Sequence, residues 1–203
     1  MVRLRDFVEL APSSALSSLC DQTPWSIVAN AKQIVHDMLA DVDESFNRQG
    51  EIVIHRTATV EAGAVIKGPA IIGARCFIAA GSYLRGGVWL DEGCTVGPGV
   101  ELKSSFVLRD TRLAHFNFVG DTILGSDVNL EAGSVIANSR NERADGEIRV
   151  RSATGLHAID VKRFGALVGD RVRIGANAVI APGSLIRPDQ IIARMSLVDQ
   201  DSE

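Results

Sequence analysis

The sequence has few aromatic residues and no long apolar run. Of its 203 residues, 46% are hydrophobic but only 5% are aromatic, with a single tyrosine. A membrane-spanning helix needs about 20 consecutive apolar residues, and the sequence contains no such run. Its 19 glycines favour tight corners. This composition predicts a long, thin core of aliphatic side chains instead of one large aromatic-rich core.

Paired cysteines and basic clusters are also lacking. The three cysteines form no Cys-x-x-Cys motif and leave one thiol over in any disulfide scheme, which favours a reducing compartment. The first residues include an Asp and a Glu and no apolar stretch, so we expect no signal peptide and a cytoplasmic protein. The net charge is −4 without a basic block, which disfavours nucleic acid as a partner.

What the sequence does contain is a repeat of six residues. Every sixth residue is Ile, Leu or Val over 54–108, and two further registers, aliphatic apart from Phe118, run over 118–136 and 168–192. Small side chains often stand four residues after each of these anchors. A period of six fits neither a helix nor a simple strand. It indicates a short strand and a corner, repeated, as in a parallel β-helix.

Two segments lack this repeat. Residues 1–50 are predicted to form a cap over one end of the β-helix, with an amphipathic helix over 24–42 that begins at a proline. Residues 139–165 are polar and are predicted to be a loop ejected from one corner. The β-helix is then expected over 51–195, followed by a tail at 196–203.

The repeat resembles that of the hexapeptide-repeat acyltransferases, in which three repeats make one coil of the β-helix. Residues three repeats apart would then stack, on neighbouring strands about 4.8 Å apart. Arg85 and Lys103 have this spacing and each follows an aliphatic anchor, so both are predicted to point outward. A phosphate would satisfy two such stacked cations. The alternative is two solvated cations, with Glu101 or Asp91 nearby to compensate their charge.

The repeat slips around a lone histidine. Ten residues separate Leu108 from Phe118, four more than one repeat. The extra residues predict a bulge at a corner, with His115 inside it. An imidazole beside a cationic surface is suited to act as a base near neutral pH. The alternative is a structural histidine that fills its own loop.

Four stretches together resemble one group of these enzymes. They are YLRGG (83–87), VELK (100–103), LAHFNFVGD (113–121) and GSDVNLEAGSVIAN (125–138). They resemble the acetyltransferase part of the bifunctional glucosamine-1-phosphate acetyltransferase/uridylyltransferase family, and the C-terminal parts of archaeal sugar-phosphate nucleotidyltransferases with amino-sugar acetyltransferase activity. The resemblance implies a mainly β protein: a left-handed parallel β-helix of hexapeptide repeats with a short N-terminal helical cap.

The same resemblance implies an acetyl-CoA-dependent N-acyltransferase that needs no metal. His115 would be the general base that deprotonates the amine of an amino-sugar phosphate or a nucleotide-linked amino sugar. Five residues would bind this acceptor: Arg85, Lys103, Phe118, Asn129 and Asn138. Backbone donors around three alanines would line the acetyl-CoA channel: Ala132, Ala176 and Ala181. Bacterial members have Tyr where this chain has Phe118, so a hydroxyl contact to the phosphate is lost.

The resemblance also implies a homotrimer with active sites between subunits. Ile71, Trp89 and Val107 follow one another at intervals of three repeats and are predicted to point outward as an apolar column. Such a column needs a covering surface, which a neighbouring subunit would provide. The alternative is that the N-terminal helix covers it.

Two other functions stay open. One is a non-catalytic β-helix protein that binds sugar phosphates or nucleotide sugars or acts as a scaffold. The other is a zinc lyase of the γ-carbonic anhydrase type, which shares the prism but needs three converging imidazoles. The four histidines contain no His-x-x-x-x-His pair: His36, His55, His115 and His157.

Overall fold

The computed structural model describes residues 2–9 and 16–201. Residue 1, residues 10–15 of the predicted cap and residues 202–203 of the predicted tail lie outside the described part. The elements before the strands are two 3-10 turns and two α-helices: Leu4–Asp6, Ser17–Leu19, Pro24–Ala29 and Ala31–Met38.

The helix predicted over 24–42 is broken at Asn30 and ends earlier. The side-chain amide of Asn30 donates to the Ser26 carbonyl at 2.9 Å, and Asn30 has φ −102° and ψ 12°, outside helical values. Asn side chains that bond to nearby backbone compete with the helix for its hydrogen bonds. The break turns one predicted helix into two short ones.

The rest of the chain is mainly β and forms the left-handed parallel β-helix implied by the resemblance. It has three faces. The first face contains Val65–Ile66, the first halves of Tyr83–Leu90 and Glu101–Val107, Phe118–Gly120, Val135–Ile136, Val179–Ile180 and Leu197–Val198. The second contains Ile52–His55, Ala70–Ile72, the second halves of those two long strands, Ile123–Leu124, Ala166–Val168 and Ser184–Ile186. The third contains Thr59–Val60, Phe77–Ile78, Thr95–Val96, Arg112–Leu113, Asn129–Leu130, Arg173–Ile174 and Ile191–Ile192. Outside the coils, Phe46–Gln49 pairs antiparallel with Ile52–His55.

Aliphatic anchors fill the interior of the prism, as the six-residue period predicts. Leu84, Leu102 and Val119 stack in register on the first face and are fully buried. The prediction is wrong at Leu108. Val107 takes the inward place instead, in register with Leu90, because the step from the preceding anchor is five residues.

The interruption of the repeat lies at another corner than predicted. Between the first and second faces the steps Leu102 to Val107 and Val119 to Leu124 are one residue short. Ser104 turns this corner with a φ of +48° and Asp121 with a φ of +46°. The corner that holds His115 has the ordinary length, so the predicted four-residue bulge is wrong.

The N-terminal helices cover a side of the prism instead of its end. Ile71, Trp89 and Phe106 stand in register on the second face and are 4%, 7% and 0% exposed. They share one apolar cluster with Val28 and Val35 of the two helices. The N-terminal helices therefore cover this apolar column, which was the alternative to a neighbouring subunit. Phe106, not the predicted Val107, is its third member.

The ejected segment is an ordered hairpin. Ile148–Ser152 pairs antiparallel with Gly155–Ile159, and Ile148 and Val150 are buried in the same cluster as the second face. The Phe164 N–H donates to the Asn138 carbonyl at 3.1 Å and closes the base of the insertion. The insertion therefore completes the cover of the second face.

A buried arginine ties this insertion to the last coil. The Arg140 side chain is 3% exposed. It donates to both carboxylate oxygens of Asp199 at 2.8 and 2.7 Å and to the Pro182 carbonyl at 2.9 Å. The hydrogen bond from Arg140 lowers the pKa of Asp199. A carboxyl with a lowered pKa stabilises the fold above its ordinary pKa, and that contribution is lost as pH falls through the lowered value.

We expect Arg140→Met to lower the free energy of unfolding by about 2 to 3 kcal/mol at pH 7, because it removes the buried guanidinium that pairs with the Asp199 carboxylate. The difference from wild type should shrink as pH falls below the ordinary carboxyl pKa of about 4 and through the lowered pKa of Asp199. Urea unfolding of both proteins at pH 7 and at a pH below about 4 measures this difference in the free energy of unfolding. Arg149→Met is the control, since its pair with Glu147 is more exposed. An equal loss at both pH values would contradict this role.

Candidate active site

His115 lies at the corner between the third and first faces. Strand Arg112–Leu113 leads into the corner and Phe118–Gly120 leads out of it. The His115 carbonyl accepts the N–H of Gly133 in the next coil at 2.9 Å, which fixes the backbone, and the residue is exposed. A rigid corner therefore presents an accessible imidazole.

Two of the predicted donor-binding alanines occupy the same corner in the following coils. The Ala132 carbonyl accepts the Asn177 N–H and the Ala176 carbonyl accepts the Met195 N–H, both at 3.0 Å. His115, Ala132 and Ala176 thus form one column along the prism. The Ala176 N–H already donates to Glu131 Oε2 at 2.8 Å.

Ala181 lies apart from that column. It follows the first-face anchor Ile180, and its N–H donates to the Val198 carbonyl at 2.9 Å in a strand-type bond. Its carbonyl accepts the Ser184 hydroxyl at 2.6 Å. Ala181 therefore stands at the opposite edge of the first face from His115.

Phe118 lies in the outward column of the first face, in register with Glu101 and Val135. A Cβ atom on Gly120 would lie 2.9 Å from Phe118 Cζ and 2.6 Å from Asn138 Nδ2. The aromatic ring and the Asn138 amide therefore both lie against Gly120. Only glycine permits this close approach.

Lys103 and Asn138 meet on a carboxylate that the sequence analysis missed. Lys103 Nζ lies 2.6 Å from Asp121 Oδ2, and Asn138 Nδ2 donates to the same oxygen at 2.5 Å. The Lys103 side chain is 16% exposed and that of Asp121 is 7% exposed. Asp121 lies one coil after Lys103, so the stacking rule applied to Lys103 would have found it.

Arg85 stacks directly on Lys103, as their spacing predicts. Its Nε and one terminal nitrogen approach Glu101 Oε1 at 2.8 and 2.7 Å. Glu101 therefore compensates the charge of Arg85, as expected if the two cations are not reserved for a phosphate. Both acids hold the cations in place and reduce the positive charge of this surface.

A third cation extends this column. Lys67 lies one coil before Arg85 and follows the anchor Ile66. Lys67 Nζ lies 5.2 Å and Arg85 Cζ 5.8 Å from the centre of the Tyr83 ring. We call Lys67, Arg85 and Lys103 the cationic column. Tyr83 orients its first two members through cation–π contacts.

Asn129 lies on the third face, on the other side of the His115 corner from Phe118. It stands in register between Arg112 and Arg173. It lines a groove of about 240 Å³ together with Glu131 and Arg194. Arg194 donates two hydrogen bonds of 2.7 Å to Glu131, which lower the pKa of Glu131. The predicted sugar-binding residues are therefore divided between two faces.

The histidines do not converge in the described part of the chain. His36 contacts Glu51, His55 contacts Thr57 and His157 contacts Thr154. Within residues 2–9 and 16–201, no three His, Cys, Asp or Glu side chains are grouped as metal ligands. None of the helices over the same residues has the length and apolar character needed to cross a membrane.

Comparison with known proteins agrees with the repeat. The model of the bacterial transferase hexapeptide (six repeats) matches residues 51–86 and 69–104, and the hexapeptide repeat of succinyl-transferase matches 165–186. The bifunctional sugar-1-phosphate nucleotidylyltransferase/acetyltransferase of Sulfurisphaera tokodaii is 31% identical over 88% of this chain and 45% of its own length. The bifunctional protein GlmU of Methanocaldococcus jannaschii is 29% identical over 89% of this chain and 44% of its own length.

The chain spans less than half the length of these two relatives. A shorter relative, the uncharacterized acetyltransferase YaiX of Escherichia coli, is 32% identical over 79% of this chain and 67% of its own length. Repeat, fold and relatives agree, and the chain belongs to the hexapeptide-repeat acyltransferases.

Proposed function

We propose that this acyltransferase moves the acetyl group of acetyl-CoA to the amine of an amino sugar that carries a phosphate or a nucleoside diphosphate. The observation that carries the proposal is the layout of the first face. An exposed His115 stands at one edge, the cationic column stands at the other, and Phe118 lies between them. The name of the Sulfurisphaera tokodaii relative, a sugar-1-phosphate nucleotidylyltransferase/acetyltransferase, favours an acetyl donor and a sugar-phosphate acceptor.

In this proposal His115 removes a proton from the sugar amine as the amine attacks the thioester carbonyl. The new C–N bond forms, the C–S bond breaks, and the proton passes from the imidazole to the leaving thiolate. General base catalysis of this kind contributes about 10²- to 10⁴-fold. The fixed corner backbone holds the base in one place, which keeps the reacting groups close.

The cationic column binds the acceptor's phosphate. Three cations face two carboxylates there, Glu101 and Asp121, which leaves one excess positive charge. A phosphate competes with these acids for the guanidinium and ammonium donors, and charge-assisted hydrogen bonds of this type are strong. Phe118 and Asn138 then contact the sugar between the phosphate and His115.

Acetyl-CoA lies along the His115 corner toward the later coils. The small side chains of Ala132 and Ala176 leave room there, and Asn129 and its groove flank the same edge. Ala181 would contact the donor only from the far edge of the first face. In this arrangement the donor lies on the side of His115 toward the later coils, and the acceptor lies on the side toward the cationic column.

We further propose a homotrimer whose subunits meet on the first face. The second-face apolar column is already covered within the chain, so it no longer argues for a partner. The first face carries exposed apolar residues in its outward column: Val65, Val179 and Leu197 at 46%, 38% and 67% exposure. A neighbour seated on this face would bury them and enclose His115 between subunits.

Thiol release from acetyl-CoA tests the proposal, with glucosamine-1-phosphate, galactosamine-1-phosphate, UDP-linked amino sugars and unphosphorylated glucosamine as separate acceptors. We expect turnover with a phosphorylated acceptor. Lys103→Met should raise the KM for that acceptor by about 10- to 100-fold, the worth of a charged hydrogen bond, and leave the KM for acetyl-CoA unchanged. Binding of a phosphorylated acceptor without turnover would favour a non-catalytic sugar-phosphate binder instead.

A further inference from the structure

Phe116 occupies a backbone conformation that suits glycine. Its φ is +53°, a region that is strained for a bulky side chain. Four other coils place glycine at the same corner position, all with positive φ: Gly63, Gly81, Gly99 and Gly133. Asn177 and Met195 hold this position in the last two coils. The coil therefore imposes a positive φ at this corner but does not require a bulky side chain there.

Burial does not offset this strain. Phe116 is 70% exposed, so its ring gains little from the protein's own core. It directly follows His115 in the sequence and shares its corner. A strained, exposed aromatic beside a candidate base is typical of a residue kept for contact with a ligand.

The ring points to the acceptor side of His115. A Cβ atom on Gly99 would overlap Phe116 Cδ1, so the ring lies over the preceding coil. That coil also supplies Lys103 of the cationic column and Glu101, which pairs with Arg85. The later coils, with Ala132 and Ala176, lie on the other side. The ring therefore lies on the side of His115 away from the proposed acetyl-CoA channel.

We infer that Phe116 is a specificity residue whose ring packs against the apolar face of the acceptor sugar; this rests on the proposed function. The C–H groups on one face of a pyranose fit the flat surface of an aromatic ring. An amino group that arrives as an ammonium ion is also attracted to the ring's negative face, and it loses one proton to water before the neutral amine attacks. Phe116 would then hold the amine near the imidazole of its neighbour in the sequence.

The test compares Phe116→Gly with Met195→Gly. Met195 has the same corner position, a φ of +60° and 76% exposure, so both changes relieve the same backbone strain and remove an exposed apolar side chain. We expect Tm to stay the same or rise in both. Only Phe116→Gly should raise the KM for the acceptor, by about 3- to 30-fold, with the KM for acetyl-CoA unchanged. Phe116→Trp, which keeps an aromatic ring at this position, should have an acceptor KM close to that of wild type.

Several results would overturn the inference. A wild-type acceptor KM in Phe116→Gly would overturn it while leaving the proposed function in place. Loss of the oligomer in Phe116→Gly, seen by light scattering, would make Phe116 a subunit contact instead. If the wild-type protein neither turns over nor binds any amino-sugar acceptor, the proposed function fails first and this inference fails with it.

Discussion

Replacing His115 with alanine is expected to lower kcat by about 10²- to 10⁴-fold. The reason is that, in the proposed function, the exposed imidazole stands at the corner where the donor and acceptor sides meet. The corner itself depends on the backbone hydrogen bond from Gly133 to the His115 carbonyl, which alanine retains. The fold, Tm and acetyl-CoA binding should therefore remain those of wild type.

His157→Ala is the matched control for this variant. His157 is also exposed, but it lies in the inserted hairpin and contacts Thr154. We expect its steady-state rates to equal those of wild type. A His115→Ala enzyme that keeps more than about a third of wild-type kcat would show that this histidine is not the base, since even modest base catalysis exceeds that factor.

Replacing Phe106 with alanine is expected to lower the free energy of unfolding by about 3 to 5 kcal/mol. Phe106 points outward from the prism yet is fully buried, because the N-terminal helices pack over it. Truncation would leave a cavity between the helices and the second face, and this interface is what holds the N-terminal segment on the coils. Urea unfolding of both proteins measures the loss.

Phe77→Ala provides the comparison. Phe77 also points outward from a strand, but on the uncovered third face, where it is 37% exposed. Its loss should cost less than about 1 kcal/mol, as for other surface substitutions. Similar losses in the two variants would contradict the assignment of the second face as the one that the N-terminal helices cover.

The six-residue period predicted the prism because it has a direct physical cause. Each inward anchor must be aliphatic to fill a narrow core, so anchors such as Leu84 and Leu102 are visible in the sequence. The shortened corners are not visible in this way. They depend on positive φ values at Ser104 and Asp121, and neither residue type demands that conformation.

One misplaced corner changed the interpretation around His115. A strict six-residue count moved the slip from the Ser104 and Asp121 corners to the histidine and made Leu108 an anchor in place of Val107. His115 does not need a bulge to be exposed, because the outer position of an ordinary corner already exposes it.

The candidate site was predictable where residues stack and not where side chains reach across coils. The spacing of three repeats placed Arg85 on Lys103 correctly. Glu101 and Asp121 meet these cations through side-chain length and rotamer, which spacing does not fix. The approach of Phe118 and Asn138 to the backbone depends on the missing side chain of Gly120. A sequence shows that glycine but not what lies over it.

In the proposed function, His115 catalyses acetyl transfer to the amine of a phosphorylated amino sugar. The most direct measurement is mass spectrometry of the sugar after incubation with acetyl-CoA and purified wild-type or His115→Ala protein. We expect an N-acetylated sugar phosphate with wild type and almost none with the variant. Equal product from both proteins, or none from wild type with any phosphorylated or nucleotide-linked amino sugar, would contradict it.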